Sequence, residues 1–112
     1  MDTEKVRRFC LSLTSATEDI KWGNDLCFSI GGKLFCVCDL TDVPTVTLKV
    51  GEDEFQELCE TNYINPAKYT GRYGHIAVSS FSRFSDDEWQ NRIKKSYELT
   101  LAKLPKKTRE NL

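Results

Sequence analysis

The sequence has few of the residues on which catalytic and metal sites depend. It contains a single histidine, His75, and its one double glycine, Gly31-Gly32, separates two apolar runs as a hairpin turn does. The spacing of the serines, the histidine and the aspartates does not indicate a Ser-His-Asp set. The glycines do not form a nucleotide-binding motif. We interpret His75 as a strand residue packed at a sheet edge, with proton transfer or contact with a partner as alternatives. We therefore expect no enzyme activity, no catalytic residues, no metal and no cofactor.

Long apolar runs are also missing. No stretch approaches the ~18 residues that a membrane span needs. The N-terminal segment 1–5 is charged where a secretion signal would be apolar. The five cysteines are odd in number, which is unlike a disulfide framework. We expect a cytoplasmic protein that does not bind membranes.

Two of the cysteines, Cys36 and Cys38, lack the two-residue spacing that zinc sites commonly show. Residues two apart in a strand share one face, so alternation places both with Leu34 and Leu40 and puts Phe35 on the opposite face. We interpret both cysteines as small core residues.

What the chain does have is the composition of a globular domain. Its 112 residues are 39% hydrophobic and 29% charged, both close to the averages for folded proteins and unlike those of disordered chains. A chain of this length can bury a core of its own. We expect one domain over residues 1–112.

Apolar periodicity and turn residues predict nine elements in the order α-β-β-β-β-α-β-β-α. The predicted ranges are a helix at 2–13, strands at 18–22, 25–30, 33–40 and 45–50, a helix at 52–60, an extended segment at 65–69, a strand at 75–81 and a helix at 86–104. Ser85 begins a capping box for the last helix, and Pro105 ends it. Short links between strands imply antiparallel pairing. The prediction is a two-layer α+β domain with helices on one face of an antiparallel sheet.

Charge is distributed unevenly along the chain. Residues 1–65 hold 6 basic and 12 acidic residues, whereas residues 66–112 hold 10 basic and 5 acidic ones. Some of the basic residues interleave with aromatic ones, as on surfaces that hold a phosphate backbone and stack exposed bases. A solvated surface without a ligand and an acidic protein partner are the alternatives. The residues that we expect to bind nucleic acid are Lys68, Arg72, Lys103, Lys106 and Lys107.

Several short segments, in a fixed order and spacing, carry a resemblance. They are Cys10-Leu11-Ser12-Leu13, Gly32-Lys33-Leu34-Phe35, Val46-Thr47-Leu48-Lys49, Asn65-Pro66-Ala67-Lys68-Tyr69, Gly71-Arg72-Tyr73-Gly74, Ser96-Tyr97-Glu98-Leu99 and Ala102-Lys103-Leu104-Pro105-Lys106. Together they resemble the MmcQ/YjbR family over nearly the whole chain. The resemblance implies a fold like those of frataxin and the type III secretion chaperones, and DNA binding of the kind described as a double-wing domain. The chain departs from the family at His75, where relatives typically have tryptophan.

From the residues and the resemblance together, we expect a non-enzymatic module that binds DNA through its basic C-terminal half. Arg72 would lie on a wing-like loop, and the lysines would contact phosphates, so little sequence preference is expected. The alternative is a protein-interaction or chaperone-like domain whose partner is unknown.

Overall fold

Four helices and six strands make up the structure, a computed structural model that describes all 112 residues. The helices are α1 (Thr3–Ser12), α2 (Glu52–Cys59), α3 (Asp86–Ala102) and α4 (Lys106–Glu110). The strands are β1 (Thr17–Lys21), β2 (Asp25–Ile30), β3 (Lys33–Asp39), β4 (Val46–Lys49), β5 (Ile64–Pro66) and β6 (His75–Val78). None of the helices is both long and apolar enough to cross a membrane.

The strands form one antiparallel sheet in the order β1-β2-β3-β4-β6-β5. The β2–β3 hairpin turns at Gly31 (φ 57°) and Gly32 (φ 80°), and a two-residue turn of this kind needs positive φ at both positions. The α+β fold and the predicted order of elements are confirmed, with one helix added at the C-terminus.

The core lies between the sheet and the helices α1 and α3. Val6 and Cys10 of α1 and Trp89 and Ile93 of α3 are fully buried against the inward-facing strand residues. The indole Nε1 of Trp89 donates to the carbonyl of Phe81 at 2.8 Å, so the polar atom of this large side chain has a partner. Truncating a buried tryptophan to alanine typically costs about 3–5 kcal/mol. Trp89 is therefore a main anchor of α3 on the sheet.

The alternation predicted for β3 is wrong at Phe35. Cys36 and Leu34 pair with adjacent residues of β2, so Phe35 is an extra residue in the ladder, a β-bulge. The bulge turns Phe35 toward the helices, where it is 1% exposed and its ring meets that of Tyr97 edge to face. Leu40 lies beyond the end of β3 and is 45% exposed, so it does not join the core either.

Ser96 of α3 closes the gap between β3 and β4 beside this bulge. Its hydroxyl donates to the carbonyl of Phe35 at 2.6 Å and accepts from the backbone N–H of Lys49 at 2.9 Å. The side chain of Ser96 is fully buried. Without it, a buried carbonyl and a buried N–H would each lose a partner.

The C-terminus differs from the prediction of a helix that ends at Pro105 and a solvated tail beyond it. α3 ends at Ala102, and α4 begins directly after Pro105, whose φ of −56° suits the start of a helix. Lys106 and Lys107 therefore lie in the first turn of a helix rather than in a tail.

α4 is docked on the β2–β3 turn. A Cβ added to Gly31 would lie 2.6 Å from Leu104 Cδ1 and 3.2 Å from Thr108 Cγ2, so the backbone of the turn is in close contact with the segment that joins α3 and α4. Leu104 is 4% exposed and fixes this contact. The C-terminal lysines are thereby held beside one end of the sheet.

Candidate nucleic-acid interface

Antiparallel pairing gathers several basic segments at one end of the sheet. The β2–β3 turn, the last residues of β4 and the loop before β6 lie there, because β2 and β4 run toward this end and β3 and β6 run away from it. α4 joins them through its contact with the β2–β3 turn. We call this region the cationic end; its basic residues are Lys33, Lys49, Lys68, Arg72, Lys103, Lys106 and Lys107.

All five residues predicted from the sequence to bind nucleic acid lie at the cationic end. Lys68 and Arg72 belong to the loop 67–74, Lys103 follows the last turn of α3, and Lys106 and Lys107 begin α4. All five side chains are exposed. The fold thus brings together two basic groups that are far apart in the sequence.

The loop 67–74 is held in shape by backbone hydrogen bonds. The N–H of Gly71 donates to the carbonyl of Ala67 at 2.9 Å. The N–H of Val50 donates to the carbonyl of Gly74 at 3.0 Å and ties the loop to the end of β4. Gly74 has a φ of 89°, a conformation that residues with a side chain rarely adopt. The loop is therefore a fixed projection of the sheet.

Two aromatic rings project from this loop, each with a cation beside it. Tyr69 is 79% exposed and Tyr73 is 58% exposed. Lys68 Nζ lies 5.5 Å from the centroid of the Tyr69 ring, and Arg72 Cζ lies 4.9 Å from that of Tyr73, both within cation–π range.

The extended segment predicted for residues 65–69 is wrong after Pro66, where β5 ends and the chain turns into the loop.

Sequence reasoning missed two members of the cationic end, Lys33 and Lys49. Both belong to the acidic half of the chain, and they reach this end because β3 begins and β4 finishes there. Burial lowers the pKa of Lys49, and the neighbouring ammonium of Lys103 lowers it further, while Glu52 acts weakly in the opposite direction. The position of each lysine at a strand terminus was the signal that could have identified them.

Most basic residues of the cationic end have no carboxylate partner. Only Lys106 forms an ion pair there, with Glu110 at 3.9 Å, and the two side chains are 83% and 62% exposed, so the pair contributes little. Pairing is closer elsewhere, as in the two hydrogen bonds of 2.8 Å between Arg7 and Glu18. The positive charge of the cationic end is therefore left available to an anion.

The opposite end of the sheet carries mainly carboxylates, and we call it the acidic end. The carboxyl of Asp86 accepts from the N-terminal ammonium of Met1, and this hydrogen bond is the main reason why its pKa is lowered. Carboxylates are not confined to this end, because α2 follows β4 directly and begins with Glu52 and Asp53 beside the cationic end. The acidic residues at the strand ends, loops and helix starts of the acidic end are Asp2, Asp25, Asp39, Asp42, Asp86 and Asp87.

His75 begins β6 and borders the cationic end. It is not on an edge strand as predicted, because β6 lies between β4 and β5. Burial of the imidazole lowers the pKa of His75, and the ammonium of its cross-strand partner Lys49 lowers it further. A histidine in this position is neutral at pH 7 and adds no charge to the cationic end.

Cys36 and Cys38 lie in the core, as predicted. A side-chain hydrogen bond with Cys10 raises the pKa of Cys36, and burial raises it further. Burial raises the pKa of Cys38 to about 11. Because the thiolate is the form that attacks electrophiles and binds metals, the positions and pKa values of these thiols indicate a structural role.

Two hollows in the surface lie away from these groups. Two open hollows, of about 560 Å³ beside α3 and the C-terminus and about 600 Å³ beside the start of β5, are lined by neither His75 nor a cysteine. No three or more His, Cys, Asp or Glu side chains are grouped so as to hold a metal ion. The arrangement that the cationic end does offer is one for binding anions and flat aromatic groups.

Comparison with known proteins agrees with this fold. The family model described as YjbR matches residues 11–99 of the chain. The structure of the Deinococcus radiodurans protein DR2400, with the family-model domain DUF419, is similar with a TM-score of 0.85 and 20% identity, over 96% of this chain and 85% of that one. A Pseudomonas syringae protein is similar with a TM-score of 0.73 and 17% identity, over 89% of this chain and 99% of that one. None of the curated proteins matches the chain.

Proposed function

The chain belongs to the YjbR family, and we propose that it binds DNA through its cationic end. The observation that carries the proposal is the concentration there of exposed basic side chains without carboxylate partners, next to two exposed aromatic rings. Such side chains displace the counterions condensed on phosphates, and the release of these ions drives binding. The five unpaired cysteines are in keeping with action in a reducing cytoplasm.

The contacts are expected to be with backbone phosphates rather than with base edges. Lysine side chains are flexible point charges that meet a phosphate in many geometries. Arg72 already lies over a tyrosine ring on its wing-like loop. Phosphate contacts carry no sequence information, so we expect strong dependence on salt and little preference for sequence.

The test compares two double charge reversals that differ in place. Lys68→Glu with Arg72→Glu alters the cationic end, and Lys21→Glu with Arg83→Glu makes the same change in net charge near the acidic end. Arg83 is a matched choice because its Cζ lies 5.2 Å from the centroid of the Phe84 ring, much as Arg72 lies over a tyrosine ring. Circular dichroism confirms that both variants are folded.

Affinity is measured by fluorescence anisotropy of labelled DNA, single-stranded and duplex. At about 50 mM salt we expect the variant at the cationic end to bind at least about tenfold more weakly than the wild type, because two phosphate contacts are lost. The variant near the acidic end should stay within about twofold. Equal losses in the two variants would mean that net charge alone matters, and absence of binding by the wild type would exclude the proposal.

A second candidate function, protein binding, rests on an exposed apolar group at the acidic end. Trp22 and Val43 are each 72% exposed, Ile20 is 58% exposed, and the N–H of Leu40 donates to the carbonyl of Asn24 at 2.7 Å, which joins the two loops. Trp22 also has a φ of 53°, a strained conformation for a residue other than glycine. Charge complementarity with the surrounding carboxylates points to a partner segment that is apolar and basic.

The probe for this second candidate is a labelled amphipathic peptide of leucine and lysine. Trp22→Asn removes the ring, while asparagine tolerates the left-handed backbone conformation. If Trp22→Asn abolishes binding of the peptide and Tyr63→Ala leaves it unchanged, the result would support a protein partner at this surface. A peptide that does not bind, or that binds both variants alike, would contradict it.

A further inference from the structure

We infer that the form of DNA bound at the cationic end is the single strand, with bases stacked on Tyr69 and Tyr73. The inference rests on the proposed function and adds the strand form and the two rings that select it. In a duplex the faces of the bases are covered by neighbouring base pairs. A single strand leaves these faces free to stack on aromatic side chains.

The exposure of the two rings is the first observation. Tyr69 and Tyr73 are 79% and 58% exposed, although tyrosine usually buries its apolar body and leaves only the hydroxyl in water. Tyr97 shows the usual behaviour, since its ring packs edge-on against Phe35 and its hydroxyl donates to the carbonyl of Thr14 at 2.6 Å. The two loop tyrosines thus keep most of their surface in solvent, where a base can reach it.

The cations beside the rings are the second observation. Lys68 and Arg72 lie over the neighbouring rings at 5.5 Å and 4.9 Å, and neither forms an ion pair with a carboxylate. A nucleotide carries one phosphate and one base on the same sugar, so each pair of a cation and a ring offers one group for the phosphate and one for the base of a single strand. Surfaces that bind single strands combine cations and stacking rings in this way.

The fixed shape of the loop is the third observation. The N–H of Tyr73 donates to the carbonyl of Thr70 at 2.9 Å, and the N–H of Gly74 donates to that of Gly71 at 3.0 Å. The N–H of Ala67 donates to the carbonyl of His75 at 3.0 Å, which ties the loop to β6. A loop that is already ordered loses little conformational entropy when it binds. The rings are therefore presented to bases without a prior folding step.

The dimensions of the cationic end fit a short single strand. The loop 67–74 and the β2–β3 turn are separated by two to three strand spacings, about 10–14 Å. A stacked strand advances about 3.4 Å per nucleotide, so about three or four nucleotides connect the two rings to Lys103, Lys106 and Lys107. A strand of this length would touch every group of cations at this end.

The test uses Tyr69→Ala with Tyr73→Ala, the rescue variant Tyr69→Phe with Tyr73→Phe, and Tyr63→Ala as a matched control. Tyr63 is 60% exposed but lies outside the cationic end. The probes are labelled oligothymidine of twelve nucleotides and a labelled duplex of twelve base pairs, compared by fluorescence anisotropy in the same buffer. A single strand carrying 2-aminopurine reports stacking directly through quenching of its fluorescence.

We expect the wild type to bind the single strand at least about fivefold more tightly than the duplex. The double alanine variant should lose about tenfold or more on the single strand, since each stacked base contributes substantially to affinity, and less than about twofold on the duplex. The double phenylalanine variant should retain both the affinity and the quenching, and Tyr63→Ala should behave as the wild type.

The outcomes separate this inference from the function on which it rests. A wild type that binds duplex as tightly as single strand, or a double alanine variant that keeps its single-strand affinity, would overturn the inference and leave DNA binding in place. Absence of binding to both probes would overturn the proposed function and the inference together.

Discussion

A single hydroxyl group, that of Ser96, completes the sheet at the point where β3 and β4 separate. It satisfies the carbonyl of Phe35 and the N–H of Lys49 at once. A serine on the apolar side of a helix gives no sign of this role in the sequence. The role exists only because the bulge at Phe35 and the crossing of α3 over the sheet coincide, and both are tertiary features.

Ser96→Ala should lower the free energy of unfolding by about 2–4 kcal/mol, because it leaves a buried donor and a buried acceptor without partners, each at about 1–3 kcal/mol. Urea denaturation followed by circular dichroism measures the change. Ser82→Ala is the control, since Ser82 is exposed and its hydroxyl meets only Ser80, and it should change stability by less than about 0.5 kcal/mol. A loss below about 1 kcal/mol for Ser96→Ala would contradict the bridging role.

His75 should make the protein less stable in mild acid. Because burial and Lys49 lower its pKa, the unfolded chain takes up a proton at a higher pH than the folded one. The neutral form of His75 therefore contributes to the free energy of unfolding at pH values above the ordinary histidine pKa of about 6.5. This contribution is lost progressively as the pH falls below that value. The carboxyls of Glu18 and Glu54 have lowered pKa values and titrate at lower pH.

The measurement is urea denaturation of the wild type and His75→Gln at several values between about pH 7 and pH 5, the range in which histidine titrates. We expect the wild type to lose stability over this range and the variant to show a flatter dependence. Parallel curves for the two proteins would show that another group is responsible.

The β2–β3 turn and the junction of α3 with α4 determine the shape of the cationic end. The sequence predicts the turn, because two adjacent glycines allow positive φ at both central positions. It does not predict α4, since a proline followed by basic residues is equally typical of a tail. The contact between Gly31 and Leu104 holds the residues after α3 against the turn, as expected of a packed helix and not of a tail. That contact depends on where α3 ends over the sheet.

Gly31→Ala should lower stability by about 2–3 kcal/mol, since the new Cβ adds overpacking to the strain of a positive φ. The Cβ would lie 2.6 Å from Leu104 Cδ1. Gly32→Ala shares the positive φ but has nothing within 4 Å, so it should cost only about 1 kcal/mol. Urea denaturation compares the two variants. Equal losses would mean that α4 is not packed against the turn.

At the scale of the whole molecule, basic residues that mostly lack ion-pair partners gather at one end of the sheet, whereas the strand ends and loops of the other end carry mainly carboxylates. The sequence predicts part of this arrangement, because five basic residues of the C-terminal half do lie together. The prediction misses Lys33 and Lys49, since both belong to the half of the chain in which acidic residues outnumber basic ones, and only the ends of β3 and β4 bring them to the cationic end. Element order follows from local periodicity, whereas the composition of a surface follows from strand order and register.

The salt dependence of DNA affinity tests the central claim most directly. Anisotropy titrations of single-stranded DNA between about 50 and 200 mM salt give the slope of log affinity against log salt concentration. For a single strand, each phosphate that the protein neutralises contributes about −0.7 to this slope. We predict a slope of about −2 to −4 for the wild type, and one shallower by about 1 for Lys106→Glu with Lys107→Glu. Absence of binding at the lower salt, or a slope near zero in both proteins, would contradict phosphate recognition by the cationic end.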